Sequence, residues 1–327
     1  MRRALLAAAA AAALAVVVAA LALRPGATVR VEIPEGLSAR QTASLLASKR
    51  VVPSAFAFRL FLKVTGFDRA LKPGAYDLRV NEPLTSLTRK LTLGLTADVK
   101  VVIPEGFMAR QIAERLEAAG VAKAAEVMKL VGDRRLEGRL FPSTYQIPLN
   151  HGAERVLKMM NDEFERQIVA AYKAASPRPV LSLEDALILA SIVEREAVLP
   201  AERPMIAAVY LNRLKKGMRL QADPTTQYAL GHWKKVLTRS DLQNPSPFNT
   251  YAHKGLPPAP ICSPGRGSFE AVLKPASTRA LYFVADTTGG HVFSETNEEH
   301  SAARQRYKRE LRKIKEKLKR EKASEPH

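Results

Sequence analysis

Two glutamates, Glu194 and Glu196, end a segment whose residues 186–193 are apolar except for one serine. A helix that is apolar nearly all round is typically buried, so a carboxyl group at its end is expected to be partly desolvated. Desolvation raises the pKa of a carboxyl group, which suits a general acid near neutral pH. Each glutamate comes after apolar residues on its own face of the helix. Helical periodicity therefore does not decide which of the two is the desolvated acid. The alternative is that both lie at an exposed helix end and pair with Arg195 or Arg203.

Polar residues are dense in the segments that follow this helix. Three stretches place amide, hydroxyl, carboxyl and phenol groups among glycines and prolines: residues 219–226, 249–251 and 263–265. Loops of this kind commonly line functional sites, and neutral hydrogen-bonding groups are suited to binding sugars. The alternative interpretation is that each stretch is an ordinary turn.

The sequence lacks the motifs of several other kinds of site, including metal-binding and nucleotide-binding sites. Six histidines are scattered without zinc-binding spacing, and His291 follows two glycines in a predicted hairpin turn. The one cysteine, Cys262, excludes an intrachain disulfide and a multi-cysteine metal site. There is no phosphate-binding loop, nucleophile elbow or dinucleotide fingerprint. We therefore predict no metal site.

The element that carries the two glutamates has a clear beginning. Ser182 is followed three residues later by Asp185, which predicts an N-cap and a helix that runs to about residue 197. Upstream, residues 116–175 show a helical pattern that is interrupted at Pro142. The chemistry is therefore expected on a helix end surrounded by loops.

A short internal repeat organises the first third of the chain. Residues 33–36, Ile-Pro-Glu-Gly, recur as residues 103–106, and residues 39–41 recur at the same offset. Each copy begins with a β-branched run and continues into an apolar-periodic segment. This predicts a strand, a turn and a short helix used twice, with a boundary near residue 97.

The amino terminus is strongly apolar. Residues 4–23 form a run of twenty apolar residues that follows Arg2 and Arg3. That length spans the hydrocarbon core of a bilayer, and the flanking charges favour a cytoplasmic amino terminus. A cleaved signal peptide is the alternative, although the run is longer than a usual signal core. Both interpretations export the rest of the chain.

The positive charge is concentrated at the other end. The chain carries a formal net charge of +19, and residues 304–322 contain eleven Lys or Arg against three Glu. Tyr307, Leu311, Ile314 and Leu318 recur at helical spacing, which predicts an amphipathic terminal helix. Such a helix either docks by this thin stripe or attracts a polyanion, such as lipid head groups or an anionic wall polymer. An exported chain seldom meets nucleic acid, so we predict no nucleic-acid partner.

Taken in order, the motifs resemble those of the YceG-like endolytic murein transglycosylases, the MltG family. The resemblance extends from residue 1 to about residue 310. It is carried by residues 189–196 (LASIVERE), 211–214 (LNRL), 218–225 (MRLQADPT), 249–251 (NTY), 255–258 (GLPP) and 281–286 (LYFVAD), with weaker matches at 72–76 and 141–145.

The resemblance implies an α+β fold with an N-terminal transmembrane helix, a small LysM-like α/β subdomain and a catalytic domain of mixed helix and strand. The implied limits are residues 1–24, 28–97 and 98–310, and residues 311–327 form a basic tail. The chain would be a single-pass protein of the inner membrane with its catalytic domain in the periplasm. Its partners would be peptidoglycan strands, the membrane and, in addition, peptidoglycan synthases.

The implied reaction cleaves the β-1,4 bond between N-acetylmuramic acid and N-acetylglucosamine within glycan strands and leaves 1,6-anhydromuramyl ends. Such cleavage is expected to terminate the elongation of nascent strands. The catalytic acid of the family corresponds to Glu196, and no cofactor is implied. We predict that five further residues bind substrate: Glu194, Gln221, Asp223, Asn249 and Tyr251.

Two other functions remain open at this point. In a hydrolase, Glu196 would be the acid and Asp223 or Glu194 the base or nucleophile, and its product would carry an added water. A non-catalytic wall-binding protein would instead use the LysM-like unit and the basic tail.

Overall fold

The computed structural model describes residues 25–324 apart from residues 95, 150 and 235, and it describes only the backbone of residues 317–324. No helix in this described part is both long and apolar enough to cross a membrane. The predicted anchor, residues 4–23, lies outside the described residues.

The chain alternates between short strands and helices, and this mixture confirms the α+β class. The helices are α1 (Ala39–Ser48), α2 (Ala55–Thr65), α3 (Leu84–Leu93), α4 (Ala109–Ala118), α5 (Ala124–Arg134), α6 (Ala153–Phe164), α7 (Ala170–Ala174), α8 (Leu183–Glu196), α9 (Arg203–Lys215), α10 (Asp223–Leu230), α11 (Arg266–Leu273) and α12 (Asn297–Ser324). A π-helical turn covers Glu165–Val169, and short 3-10 turns cover Pro200–Glu202 and Asp241–Gln243. The strands are β1 (Thr28–Ile33), β2 (Gly74–Arg79), β3 (Asp98–Val102), β4 (Thr144–Pro148), β5 (Tyr282–Ala285) and β6 (His291–Ser294).

These strands form three two-stranded sheets, β1–β2, β3–β4 and β5–β6. Strands β1 and β2 are antiparallel, with Thr28 opposite Arg79 and Ile33 opposite Gly74. Side chains along β1 alternate between exposed and buried, as expected for a strand with one face on a core.

The predicted repeat is confirmed as two strand–turn–helix modules. In the first copy β1 leads into α1, and in the second β3 leads into α4. Gly36 and Gly106 occupy equivalent turns with φ of +82° and +79°, a region that favours glycine because it lacks a Cβ. At the start of α1, the Ser38 and Gln41 side chains form a reciprocal capping box.

The chain divides into two compact units. The first contains the described residues up to Val101 together with Arg115–Lys123 and Thr144–Val156, and the second contains the rest. The first unit is thus discontinuous in sequence. The limits predicted for a LysM-like subdomain, 28–97, and for a catalytic domain, 98–310, stay predictions.

Helix α8 forms the centre of the second unit. Its N-cap is Ser182, whose hydroxyl accepts a hydrogen bond from the backbone N–H of Asp185, as predicted. All eight residues from 186 to 193 are buried. Helices α9 and α11 pack on α8, so its apolar surface is covered on several sides. The carboxyl-bearing end of α8 is therefore held by a rigid core.

The basic terminal helix is confirmed as α12, which packs against the β5–β6 hairpin. The Tyr282 and His300 rings stack with centroids 5.3 Å apart, and Ala303 is buried. Tyr307 and Leu311 are half-buried, whereas Ile314 is exposed. Among the stripe residues whose side chains are described, burial therefore decreases from Tyr307 and Leu311 to Ile314.

We expect Leu189→Ala in α8 to lower the free energy of unfolding by about 2–5 kcal/mol, because it leaves a cavity in a closely packed core. Urea denaturation of the purified chain measures this change. Val180→Ala, at a fully exposed position, is the matched control and should change little. A loss at Leu189 no larger than that of the control would contradict the central place given to α8.

Candidate active site

Glu196 is the last residue of α8, and its carboxyl group is only partly exposed. The buried Tyr210 of α9 donates its phenol hydrogen bond to Glu196 Oε1 across 2.7 Å. The pKa of Glu196 is raised to about 7, chiefly because burial disfavours the charged form. The nearby charge of Asp223 adds to this rise, whereas the Tyr210 hydrogen bond opposes it. A carboxyl group with this pKa can be both proton donor and proton acceptor near neutral pH.

A second carboxyl group, Asp223, lies near enough to affect the titration of Glu196. Asp223 is the first residue of α10, where the N-terminal end of a helix favours a negative charge. The phenol of Tyr251 donates to Asp223 Oδ1 across 2.6 Å. Burial and this carboxylate raise the pKa of Tyr251, which therefore stays a neutral donor. The structure thus brings together three of the predicted residues, Glu196, Asp223 and Tyr251.

A buried arginine adds a positive charge to this group. Arg213 of α9 donates to the carbonyl oxygens of Leu281 and Leu220 at 2.6 and 2.7 Å. Its charge lowers the pKa of both Glu196 and Tyr210. These two acceptors are neutral carbonyls, so the positive charge of the guanidinium acts on the site as a fixed field.

The β5–β6 hairpin holds Tyr210 in place. Phe283 of β5 packs edge-on to the Tyr210 ring with centroids 5.7 Å apart, and the His291 ring packs edge-on to Phe283. Glu202 contacts His291 Nδ1 at 2.7 Å and accepts the His291 backbone N–H. The hairpin prediction is confirmed, and His291 fastens this hairpin to the segment that leads into α9.

Gln221 has an unusual backbone conformation next to Asp223. Its φ is +52°, which costs about 1 kcal/mol or more for a residue with a Cβ. The Gln221 N–H donates to the Thr250 carbonyl at 3.2 Å, and the Ala222 N–H donates to the Thr250 hydroxyl at 2.9 Å. The exposed Gln221 side chain is thereby held beside the loop that carries Tyr251.

Asn249 is fully buried, and its amide is saturated by protein groups. Its Oδ1 accepts from the Thr226 hydroxyl and the Tyr251 N–H, both at 3.0 Å. Its Nδ2 donates to the carbonyls of Leu242 and Asn244 at 3.0 and 2.7 Å. An amide has two donor hydrogens and two acceptor lone pairs, so no capacity is left for a sugar. These contacts favour a positioning role for Asn249 over the predicted direct contact with substrate.

Glu194 has partners quite different from those of Glu196. Its Oε2 accepts the backbone N–H of Gly265 at 3.0 Å, and its Oε1 lies 3.4 Å from Arg203 Nη2. Arg203 also lies 3.3 Å from Glu105. Pairing with arginine, the alternative considered for both glutamates, thus holds for Glu194, although its side chain is only 7% exposed. Its contacts fasten the loop before α11 to the end of α8.

Sequence patterns did not identify Tyr210 and Arg213 as site residues. Tyr210 lies among the apolar residues of α9 and resembles an ordinary core tyrosine, and Arg213 is one of 51 basic residues. Arg213 could have been identified from its position in residues 211–214 (LNRL), one of the motifs that carry the family resemblance. Among the described residues, no group of three or more His, Cys, Asp or Glu is arranged to hold a metal ion.

Comparisons with known proteins agree on one family. The model of the YceG-like family matches residues 31–306. An endolytic murein transglycosylase of Bacillus subtilis is 34% identical over 86% of this chain and 85% of its own length. One of Streptococcus pneumoniae is 28% identical over 83% of this chain, which spans 56% of that protein. The crystal structure of a YceG-like protein of Listeria monocytogenes has a TM-score of 0.57 and 34% identity, covering 85% of this chain and 99% of that one.

We expect Tyr210→Phe to move the pH dependence of activity. The Tyr210 bond stabilises ionised Glu196, so its loss should raise the pKa of Glu196 above about 7. An acid must be protonated to act, so activity falls as pH rises through this pKa, and the alkaline limb should shift to higher pH. A pH profile of kcat/KM measures the shift. An unmoved limb would show that Tyr210 does not tune this carboxyl group.

Asn249→Ala should lower kcat and Tm together, because it leaves buried groups at Thr226 and Tyr251 without partners. Each such group costs about 1–3 kcal/mol of stability. Steady-state kinetics and thermal unfolding of the same sample measure both effects. A raised KM with unchanged Tm would instead indicate direct contact between Asn249 and substrate.

Proposed function

The chain belongs to the YceG-like family, and we propose that it is an endolytic peptidoglycan lytic transglycosylase that uses Glu196 as its acid and base. The substrate is the β-1,4 bond between N-acetylmuramic acid and N-acetylglucosamine within glycan strands. The observation that carries the proposal is the Glu196 carboxyl group, part-buried on Tyr210 with its pKa raised to about 7. The curated relatives named endolytic murein transglycosylase support the same reaction.

The first step is the protonation of the glycosidic oxygen by neutral Glu196. The bond between C1 of the muramyl residue and this oxygen then breaks, and C1 becomes oxocarbenium-like. The departing sugar leaves with a free hydroxyl that carries the proton of Glu196. A pKa near 7 keeps a large fraction of Glu196 protonated at neutral pH, which this step requires.

The second step uses the carboxylate that the first step creates. Glu196 removes the proton from the C6 hydroxyl of the same muramyl residue, and this oxygen forms a bond to C1. The product is a 1,6-anhydro ring, and Glu196 is protonated again. Because the nucleophile belongs to the substrate, one carboxyl group supports both steps and no water is consumed.

The neighbours of Glu196 suit this cycle. Tyr210 and the charge of Arg213 stabilise the carboxylate between the two steps, and the negative Asp223 favours its return to the acid form. The Asp223 carboxylate also lies where it could stabilise positive charge on the sugar, as electrostatic preorganisation requires. Gln221 and Tyr251 border the same site and are proposed to hold the N-acetyl and hydroxyl groups of the strand. Glu194 is proposed to position the end of α8.

One observation favours a second candidate function, a hydrolase that uses two carboxyl groups. Asp223 is exposed at the start of α10 and interacts with Glu196, so it could act as a base for water. The Tyr251 phenol already donates to Asp223 Oδ1 at 2.6 Å, so one oxygen of this carboxyl group is occupied. Water uptake into the product distinguishes the two reactions.

The cellular setting is proposed from the amino-terminal part of the chain. The twenty apolar residues 4–23 support a single-pass anchor in the inner membrane, with the remaining chain in the periplasm. The fold of β1, α1, α2 and β2 supports a LysM-like subdomain in residues 28–97. Release of nascent strands from peptidoglycan synthases would suit a membrane-anchored enzyme.

Glu196→Gln should abolish the formation of anhydromuramyl ends on purified glycan strands, since the amide neither donates a proton to the leaving oxygen nor accepts one from C6. The fall in kcat should be at least about 10²–10⁴-fold, the usual contribution of general acid–base catalysis. Chromatography with mass detection measures the ends. Glu194→Gln is the matched control and should keep measurable anhydro product. Full activity in Glu196→Gln with an unchanged Tm would refute the proposed role.

A further inference from the structure

Helix α2 of the first unit has an apolar side that the core does not cover. Phe58 and Leu62 point inward and are buried. On the other side Phe56 is 63% exposed and Val64 is 77% exposed, and Phe67, two residues beyond the helix, is 43% exposed. Within the helix, a spacing of eight residues places Phe56 and Val64 on the same outward side. Phe67 follows the left-handed cap Gly66 and adds a third exposed apolar side chain at the end of the helix. A helix that is apolar on two sides is normally buried on both. We therefore expect another molecule to cover the exposed side of α2.

Cations surround this apolar side. A groove of about 770 Å³ runs beside α2, and Asp68 is the acidic residue in its lining. We name as the Phe56 face the apolar residues Phe56, Leu60, Val64 and Phe67 with the four basic residues Arg40, Arg59, Lys63 and Arg69. The face thus combines exposed aromatic and aliphatic groups with a surplus of positive charge.

This combination matches the surface of an anionic bilayer. Amphipathic helices that lie in a membrane interface place aromatic and aliphatic residues in the acyl boundary and Lys or Arg at the head groups. Each basic residue near an anionic surface adds to the electrostatic attraction. A glycan strand offers carboxylates to the four cations but no acyl layer for the exposed Phe56, Val64 and Phe67 side chains, which a bilayer provides.

The first unit also begins directly after the proposed anchor. The backbone N–H of Gly26 donates to the Val80 carbonyl at 2.7 Å, and the apolar run of residues 4–23 ends just before it. The segment that leads into α2 lies at the same end of the β1–β2 sheet, because the Asn81 N–H donates to the Arg50 carbonyl at 3.0 Å. The start of the Phe56 face is therefore near the point where the chain would leave the bilayer.

We propose that the Phe56 face docks on the anionic phospholipid surface of the membrane that holds the anchor. This inference rests on the proposed anchoring of residues 4–23. Docking fixes the orientation of the first unit on the bilayer, which a single-pass anchor alone leaves free to rotate.

The test uses labelled full-length chain in vesicles. Cys262 is the only cysteine, and it is buried with its thiol pKa raised well above the usual range, so it is expected to resist labelling. Val64→Cys then carries an environment-sensitive fluorophore on the Phe56 face. Thr28→Cys is the matched control, because Thr28 is exposed on the side of β1 that faces away from the core. Thr28 is also closer in sequence to the anchor.

The proteins are reconstituted in phosphatidylcholine vesicles with or without phosphatidylglycerol, and a nitroxide lipid quenches the fluorophore. We expect quenching at position 64 to exceed that at position 28 severalfold and to increase with phosphatidylglycerol. The double variant Arg59→Glu, Lys63→Glu should reduce quenching at position 64 to the level of position 28. Its cleavage of glycan strands in detergent should equal that of the parent.

The outcomes separate the two proposals. Two results would overturn the docking surface without affecting the proposed anchor. The first is equal quenching at positions 64 and 28, and the second is quenching at position 64 that changes neither with phosphatidylglycerol nor with charge reversal. Failure of the full chain to float with either kind of vesicle overturns both. Loss of glycan cleavage in every variant and in the parent overturns the proposed enzyme activity and does not affect the quenching result.

Discussion

The contact between the Glu196 carboxyl group and the Tyr210 phenol depends on the burial of α8, and the rest of the site depends on this contact. A carboxyl group exposed to water would titrate near 4.5 and would be almost fully ionised at neutral pH. Eight consecutive buried residues hold the end of α8 in a dry environment, and this shifts the pKa to about 7. The site therefore obtains one group that can serve as acid and then as base.

Much of the second unit acts as support for that group. Glu194 ties the end of α8 to Gly265 and Arg203, while Phe283 braces the ring of Tyr210. The saturated amide of Asn249 holds the loop that presents Tyr251 to Asp223. The left-handed backbone at Gln221 lies where this loop meets the start of α10, and strained residues are often found at functional sites.

Local features of the chain were predictable from sequence. The N-cap at Ser182, the buried run of α8 and the repeated strand–turn–helix module depend on neighbouring residues alone, and the structure confirms all three. The choice between Glu194 and Glu196 was not predictable from periodicity, because their partners come from Gly265 and Tyr210, 71 and 14 residues away. The role of Asn249 was not predictable for the same reason. The sequence does not distinguish an asparagine whose amide is buried and bonded to protein groups from one whose amide binds a ligand.

Cleavage of purified glycan strands in water enriched in heavy oxygen tests the central claim most directly. If Glu196 acts alone as acid and base, the muramyl C6 oxygen closes the ring, and the new ends carry the anhydro mass without heavy oxygen. Products that contain one heavy oxygen at C1 of the muramyl residue would contradict this account. They would assign the reaction to a hydrolase in which a second carboxyl group, such as Asp223, activates water.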